Sequence, residues 1–172
     1  MTLELSDQYY LKAADNLGYD IETSLEALNY ALSYDPEHAP SHCLSGKICG
    51  QYLKSYDRAF HHLELAMLYD PYYPDSYCTY AWFLIQNGRF AKADRVLYKA
   101  IQVETVDKYS VFVISGLGHE LKCNWYLATT AWKRARLLTA TCDQINYVDT
   151  ALKRVKVKQE KLQPKKKGKS KK

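Results

Sequence analysis

The sequence predicts an all-α fold, a solenoid of stacked helical hairpins, from three observations. The first is a pair of alanines, Ala93 and Ala100, whose spacing of seven residues places both small side chains on one stripe of a helix. This pair recurs at intervals of 34 or 35 residues, as Ala59 and Ala66, as Ala128 and Ala135, and as Ser24 and Ala31. The second is the tripeptide Tyr-Asp-Pro, present at 34–36 and again at 69–71, and the third is the helix-breaking pair Asn87-Gly88 between two apolar helical patterns. A fixed period of this length is typical of stacked helical hairpins.

Each period is expected to hold two antiparallel helices. We place the four repeats at about 6–36, 39–71, 74–105 and 108–140. In the first repeat, Ser6 can cap the first helix, Gly18 ends it, and Thr23 lies near the start of the second helix. Each Tyr-Asp-Pro ends a second helix, because proline cannot continue the backbone hydrogen-bond ladder. Small residues in the first helices, such as Gly46 and Gly116, are expected to face the first alanine of the second helix, so that the two backbones pack closely.

A final helix without a partner is expected at 142–160. Its apolar residues recur at i, i+3, i+7 and i+10 as Ile145, Val148, Leu152 and Val155, and its opposite side is polar. One apolar stripe and one solvated face suit the cap that a repeat array needs at its end. Residues 164–172 contain no apolar side chain, so we expect a solenoid domain at 1–160 and a disordered Lys-rich tail at 161–172.

The net charge of +5 is distributed unevenly along the chain. Residues 153–172 contain eleven Lys and Arg and one Glu, which gives +10. Residues 1–152 contain thirteen Lys and Arg and eighteen Asp and Glu, which gives −5. A mildly acidic body with a strongly basic tail indicates a protein that interacts with other molecules.

Several function classes receive no support from the sequence. No apolar run approaches the roughly 20 residues that span a bilayer, and the N-terminus lacks the basic and apolar regions of a secretory signal. The five cysteines have no CxxC spacing, which favours a reducing compartment, and we expect a cytoplasmic protein. The adjacent histidines His61 and His62 point about 100° apart on a helix, and His38 and His42 straddle a proline, so neither pair predicts a metal site. No catalytic constellation is present, and we expect a non-enzymatic protein without cofactor or metal.

These units resemble tetratricopeptide repeats over about 6–140. In the third unit the resemblance is carried by Tyr77, Tyr80, Ala81, Leu84, Gly88, Phe90, Ala93, Leu97 and Ala100. In the second unit it is carried by His42, Ser45, Gly46, Tyr56, Ala59, Leu63, Ala66 and Pro71, and in the fourth by Phe112, Ser115, Gly116, Trp125, Ala128, Trp132 and Ala135. The resemblance implies a right-handed α-solenoid of about four hairpins that serves as a protein–protein interaction module or adaptor.

In that family the first helices of successive repeats line a concave groove that binds a peptide or a partner helix. The resemblance implies a partner-binding groove made of Tyr9, Cys43, Lys47, Gln51, Cys78, Trp82, Ile85, Gln86, Val113, Leu117, Glu120 and Leu121. For the first repeat, Tyr10 is the alternative to Tyr9. The Lys, Asn and Arg side chains with which some members grip a C-terminal carboxylate are missing. We therefore expect a protein partner that offers an apolar peptide or an amphipathic helix, with Trp82 as the anchor.

Two other functions stay open at this point. The lysines of the tail are Lys165, Lys166, Lys167, Lys169, Lys171 and Lys172, and a salt-sensitive contact with phosphates would make the protein a nucleic-acid- or ribosome-associated factor. The same tail is compatible with an anionic membrane or an acidic partner, or with a passive solubilising role. A secretion-type chaperone is the other alternative, since small tetratricopeptide proteins of this size serve that role and typically form homodimers.

Overall fold

The structure is a computed structural model that describes residues 4–162. Over that range it consists of nine α-helices and contains no β-strand. The helices are α1 (Leu5–Asn16), α2 (Ile21–Tyr34), α3 (Ala39–Gln51), α4 (Tyr56–Tyr69), α5 (Pro74–Gln86), α6 (Phe90–Gln102), α7 (Lys108–Leu121), α8 (Trp125–Leu137) and α9 (Cys142–Leu162). Helices α1 to α8 pack in consecutive pairs, and α9 packs on α8. The prediction of an all-α fold of helical hairpins is confirmed, while the Lys-rich run 163–172 lies outside the described residues.

The helices form two compact units, of which the first ends at Asp107 and the second begins at Lys108. The first unit contains the three hairpins α1–α2, α3–α4 and α5–α6, and α3 contacts both α1 and α5. The second unit contains the hairpin α7–α8 followed by α9. The expectation of one continuous domain at 1–160 stays a prediction.

The two Tyr-Asp-Pro segments end α2 and α4 with the same backbone geometry. A side-chain oxygen of Asp35 accepts a hydrogen bond from the backbone N–H of Glu37 at 2.9 Å, and Asp70 accepts one from Tyr72 at 2.8 Å. Each aspartate thus pairs the backbone N–H of the residue that follows the proline, at the point where the helix has ended. This local chemistry explains why the second helices stop where the sequence predicted.

The turns inside three hairpins each contain one residue in the left-handed region. These residues are Lys54, Gly88 and Cys123, with φ angles of 53°, 69° and 55°. After Gly88, the N–H of Arg89 donates to the carbonyl of Leu84 at 2.8 Å, which closes the C-terminal end of α5. A left-handed residue therefore recurs at the period of the repeat although its residue type changes.

Glycines hold the paired helices close together. A Cβ atom added to Gly46 would lie 2.7 Å from Cγ of Leu63 and 3.1 Å from the carbonyl oxygen of Ala59, so no larger residue fits without movement. At Gly116 the neighbour is the indole ring of Trp132, at 2.7 Å, rather than the expected alanine. Both positions are therefore limited by packing and not by the turn geometry that usually requires glycine.

The start of the first repeat differs from the sequence expectation. Ser6 is buried inside α1 and does not cap it. Thr23 does lie near the start of α2, as expected: the helix begins at Ile21, because Asp20 caps it by accepting a hydrogen bond from the N–H of Thr23 at 3.0 Å.

Candidate partner-binding surface

The helices α1, α3 and α5 of the first unit form two adjoining cavities. A cavity of about 360 Å³ between α3 and α5 is lined by Lys47, Gln51, Lys54, Thr79, Trp82, Phe83 and Gln86. A second cavity of about 340 Å³ is lined by Tyr10, Ala14, Leu17, Cys43, Leu44, Lys47, Tyr73, Asp75 and Thr79. Because Lys47 and Thr79 line both, the two cavities adjoin, and we name their combined lining the α1–α3–α5 surface.

The cavity around Trp82 combines an aromatic centre with polar groups. Trp82 is half-buried, whereas Lys47, Gln51 and Gln86 are exposed. An indole ring offers a large apolar area and loses little conformational entropy on binding. The surrounding amide and ammonium groups can donate hydrogen bonds. This arrangement can hold an apolar side chain of a partner while its polar groups fix the orientation.

The thiols of Cys43 and Cys78 are in their protonated form near neutral pH. Cys43 is only 5% exposed and forms part of the floor of the second cavity. Burial raises the pKa of the Cys43 thiol to about 12 and that of Cys78 to about 11. Both thiols are therefore protonated near neutral pH, and a protonated thiol is a poor nucleophile and metal ligand.

Three groove residues predicted in the first unit do not line this surface, namely Tyr9, Cys78 and Ile85. The Tyr9 ring stacks on Tyr30 and Tyr34 of α2, with ring centroids 5.3 and 5.7 Å apart, so it lies on the α1–α2 side. Tyr10 lines the cavity instead, because adjacent helical residues point about 100° apart. Ile85 is 3% exposed, so it belongs to the core and offers no area to a partner.

The groove residues predicted in the second unit have mixed environments. Val113 and Leu117 are partly buried against the core formed by α8 and α9. Leu121 is 62% exposed, whereas Glu120 is 6% exposed and therefore corrects the expectation that it faces a partner.

Glu120 is held by two cations of α9. Its carboxylate accepts hydrogen bonds from Nε and Nη2 of Arg154 at 2.8 and 2.9 Å and from Nζ of Lys158 at 2.7 Å. Burial alone would raise the pKa of Glu120, but the hydrogen bonds from Arg154 and Lys158 outweigh it and lower the pKa. The role of Glu120 is thus to fasten α9 to α7.

Sequence reasoning missed several residues of the α1–α3–α5 surface. Thr79 precedes Trp82 by three residues and Gln86 by seven, which places all three on one face of α5 and would have identified it. Lys54 and Tyr73 lie outside the helices, in the turns before α4 and α5, and helical spacing says nothing about such positions.

A pair of imidazoles, the buried ring of His42 and the half-buried ring of His62, lies between α3 and α4. Nδ1 of His42 is 3.0 Å from Nδ1 of His62, and Nε2 of His42 donates to the carbonyl oxygen of Pro36 at 2.9 Å. The Nδ1 atom of His42 is therefore an acceptor, and His62 donates to it from its own Nδ1. Over the described residues, no group of three or more His, Cys, Asp and Glu side chains is placed to hold a metal ion.

No helix within 4–162 is both long enough and apolar enough to span a bilayer. No protein-family model matches the chain, and no curated protein sequence matches it. Among solved structures, the chain resembles the crystal structure of PilW, described as a widely conserved type IV pilus biogenesis factor, with a TM-score of 0.71 and 19% sequence identity over 91% of this chain and 80% of that one. At this identity the likeness shows a common fold. Together with the hairpins described above, it fits a tetratricopeptide-type repeat fold.

Proposed function

We propose that the protein is a non-enzymatic adaptor that binds a segment of a partner protein on the α1–α3–α5 surface. The observation that carries this proposal is the pair of adjoining cavities along three successive first helices, with Trp82 in the cavity between α3 and α5 and exposed polar side chains around it. The bound segment places an apolar side chain against Trp82 and directs polar groups toward Gln51 and Gln86. Affinity then comes mainly from burying the aromatic area, and orientation comes from the polar contacts.

The fold also supports this proposal. Hairpin arrays expose extended concave surfaces that suit the binding of other proteins. PilW, which shares the fold, is a type IV pilus biogenesis factor. A role for this protein in assembling or holding other proteins is in keeping with that likeness, and the residues around Trp82 supply the specific argument.

Site-specific photo-crosslinking in the full chain tests the proposal. We expect benzoylphenylalanine in place of Gln86 to crosslink a discrete partner from a cell lysate. The matched control places it at Tyr98 on α6, which is 69% exposed and lies away from the concavity. Adding Trp82→Ala should remove the crosslink at position 86, and moderate salt should leave it, because apolar burial is little screened.

Three results would contradict the adaptor function on this surface. The crosslinked partner could appear equally from position 98, or it could persist with Trp82→Ala. It could also disappear on nuclease treatment or when the lysines of 165–172 are replaced by Gln, and the protein would then act as a nucleic-acid-associated factor through its tail.

A further inference from the structure

The α8–α9 pair carries an apolar groove. It is an open concavity of about 550 Å³ lined by Lys133, Arg136, Leu137, Thr139, Ile145 and Leu152, and we name it the α8–α9 groove. Leu137 is 85% exposed and Ile145 is 38% exposed, although both are large aliphatic side chains. Exposed apolar side chains that lie together on a surface are typical of interaction sites.

This groove exists because α9 caps the second unit incompletely. The helix buries Val148, Ala151 and Val155 against α8, as a cap should. Ile145 and Leu152, seven residues apart, lie on a neighbouring edge that the same packing leaves partly open. In a repeat array this edge is where a following helix would stack.

The charge of the second unit defines what fits the groove. Residues 108–162 contain ten Lys and Arg against four Asp and Glu, a net charge of +6, whereas residues 1–107 carry eight against fifteen, a net charge of −7. At the groove, Nε of Arg136 binds Asp149 at 2.6 Å, and Lys133 is exposed on the same helix. An occupant with acidic flanks would therefore be attracted, and a basic one repelled.

We propose that the α8–α9 groove binds an acidic amphipathic helix of a partner protein. The apolar edge of that helix would pack on Leu137, Ile145 and Leu152, and its Asp and Glu residues would lie beside Lys133. A groove between two packed helices accommodates a third helix with apolar residues at i, i+3 or i+4 and i+7. This site is separate from the α1–α3–α5 surface and does not depend on it.

The test is a fluorescence anisotropy titration of the full chain with a designed probe. The probe is a fluorescein-labelled helix of about 18 residues with Leu at helical spacing and Glu on both flanks. We expect Leu137→Ser to weaken its binding at least tenfold, on the order of what loss of a buried leucine contact gives. The matched control is Leu68→Ser on α4, where the leucine is 68% exposed, and it should leave the affinity unchanged.

Lys133→Glu should also weaken binding of the acidic probe, and the loss should shrink as salt is added. A version of the probe with Lys in place of Glu should bind at least tenfold more weakly than the acidic probe, on the order of several such charge contacts. Neither substituted residue is buried, so both variants are expected to fold.

Four results would overturn this proposal. The acidic probe could fail to bind, or the Lys probe could bind equally well. Binding could be lost when the lysines of 165–172 are replaced by Gln, which would assign it to the tail. Sedimentation could also reveal a dimer that Leu137→Ser dissociates, which would assign the groove to a second copy of the chain.

Discussion

Removing both cations that bind Glu120 should destabilise the protein more than removing Glu120 itself. The variants are Arg154→Met with Lys158→Met, Glu120→Gln alone, and all three substitutions together. Met keeps much of the apolar stem of each long side chain, so the comparison isolates the charges. The prediction follows from the unequal burial of the three partners.

The side chain of Glu120 is 5% exposed, whereas those of Arg154 and Lys158 are 38% and 46% exposed. Without its partners the buried carboxylate keeps its desolvation penalty, and loss of about 3–5 kcal/mol of the free energy of unfolding is expected. Without Glu120, water can still solvate the two cations, and a loss of about 1–2 kcal/mol of the free energy of unfolding is expected. In the triple variant no charge is buried, so Glu120→Gln should recover about 1–3 kcal/mol relative to the Met pair.

The measurement is urea unfolding followed by tryptophan fluorescence in a Trp82→Phe background. The chain has three tryptophans, and the two that remain, Trp125 and Trp132, are both in the core of the second unit. The signal therefore reports the part of the protein that Glu120 stabilises.

The pH dependence gives an independent check. In the native protein the pKa of Glu120 is lowered, so its stabilisation is complete above about pH 4.3 and is lost as the pH falls through the lower folded pKa. In the Met pair no cation opposes the effect of burial on Glu120, so the pKa of Glu120 in the folded state rises. The free energy of unfolding of the Met pair should therefore increase, relative to that of the native protein, as the pH falls from about 7 to about 5. If the Met pair is no less stable than Glu120→Gln, or if adding Glu120→Gln to it lowers stability further, the reasoning fails.

Two further predictions concern the first unit. Ala93 is fully buried and Ala91 is exposed on the same helix, so Ala93→Leu should lower the free energy of unfolding by about 1–3 kcal/mol more than Ala91→Leu, and equal urea midpoints would exclude this packing. Burial lowers the pKa of His62 to about 4 and also lowers the pKa of His42. The stability that comes from keeping these rings neutral is therefore complete above about pH 6.5, and it is lost as the pH falls toward the pKa values of the folded state. The thermal midpoint should fall between about pH 7 and pH 4.5, and His62→Asn should make that fall smaller; an identical fall in both proteins would refute the assignment.

The fold could be predicted because its signals are local and repeated. The Asp35 and Asp70 turns depend on a few adjacent residues, and the alanine spacing follows from helix geometry alone. The candidate site was predicted less well, since helical spacing locates a face only to within one residue. Tyr9 and Tyr10 show the effect of that uncertainty, since Tyr9 packs on α2 while Tyr10, the next residue, lines the cavity.

Long-range pairing is the other limit on the sequence prediction. Glu120 was expected on a binding surface from the resemblance to tetratricopeptide repeats. Its actual partners, Arg154 and Lys158, lie 34 and 38 residues further along the chain, where local spacing does not reveal them. Likewise, the apolar spacing of Ile145 and Leu152 predicts an apolar edge on α9, but it does not show whether another helix covers that edge. Only the three-dimensional packing separates a cap from an open groove.

The left-handed turn residues also bear on how far such a sequence can diverge. Glycine adopts a positive φ freely, whereas a lysine or cysteine in this region is disfavoured by about 1 kcal/mol. Lys54 and Cys123 occupy the position nonetheless, because the helices on either side dictate the path of the turn. Glycine is thus dispensable at two of these three turns. The helical hairpin can therefore persist after the turn glycine by which it is usually recognised in a sequence has been replaced.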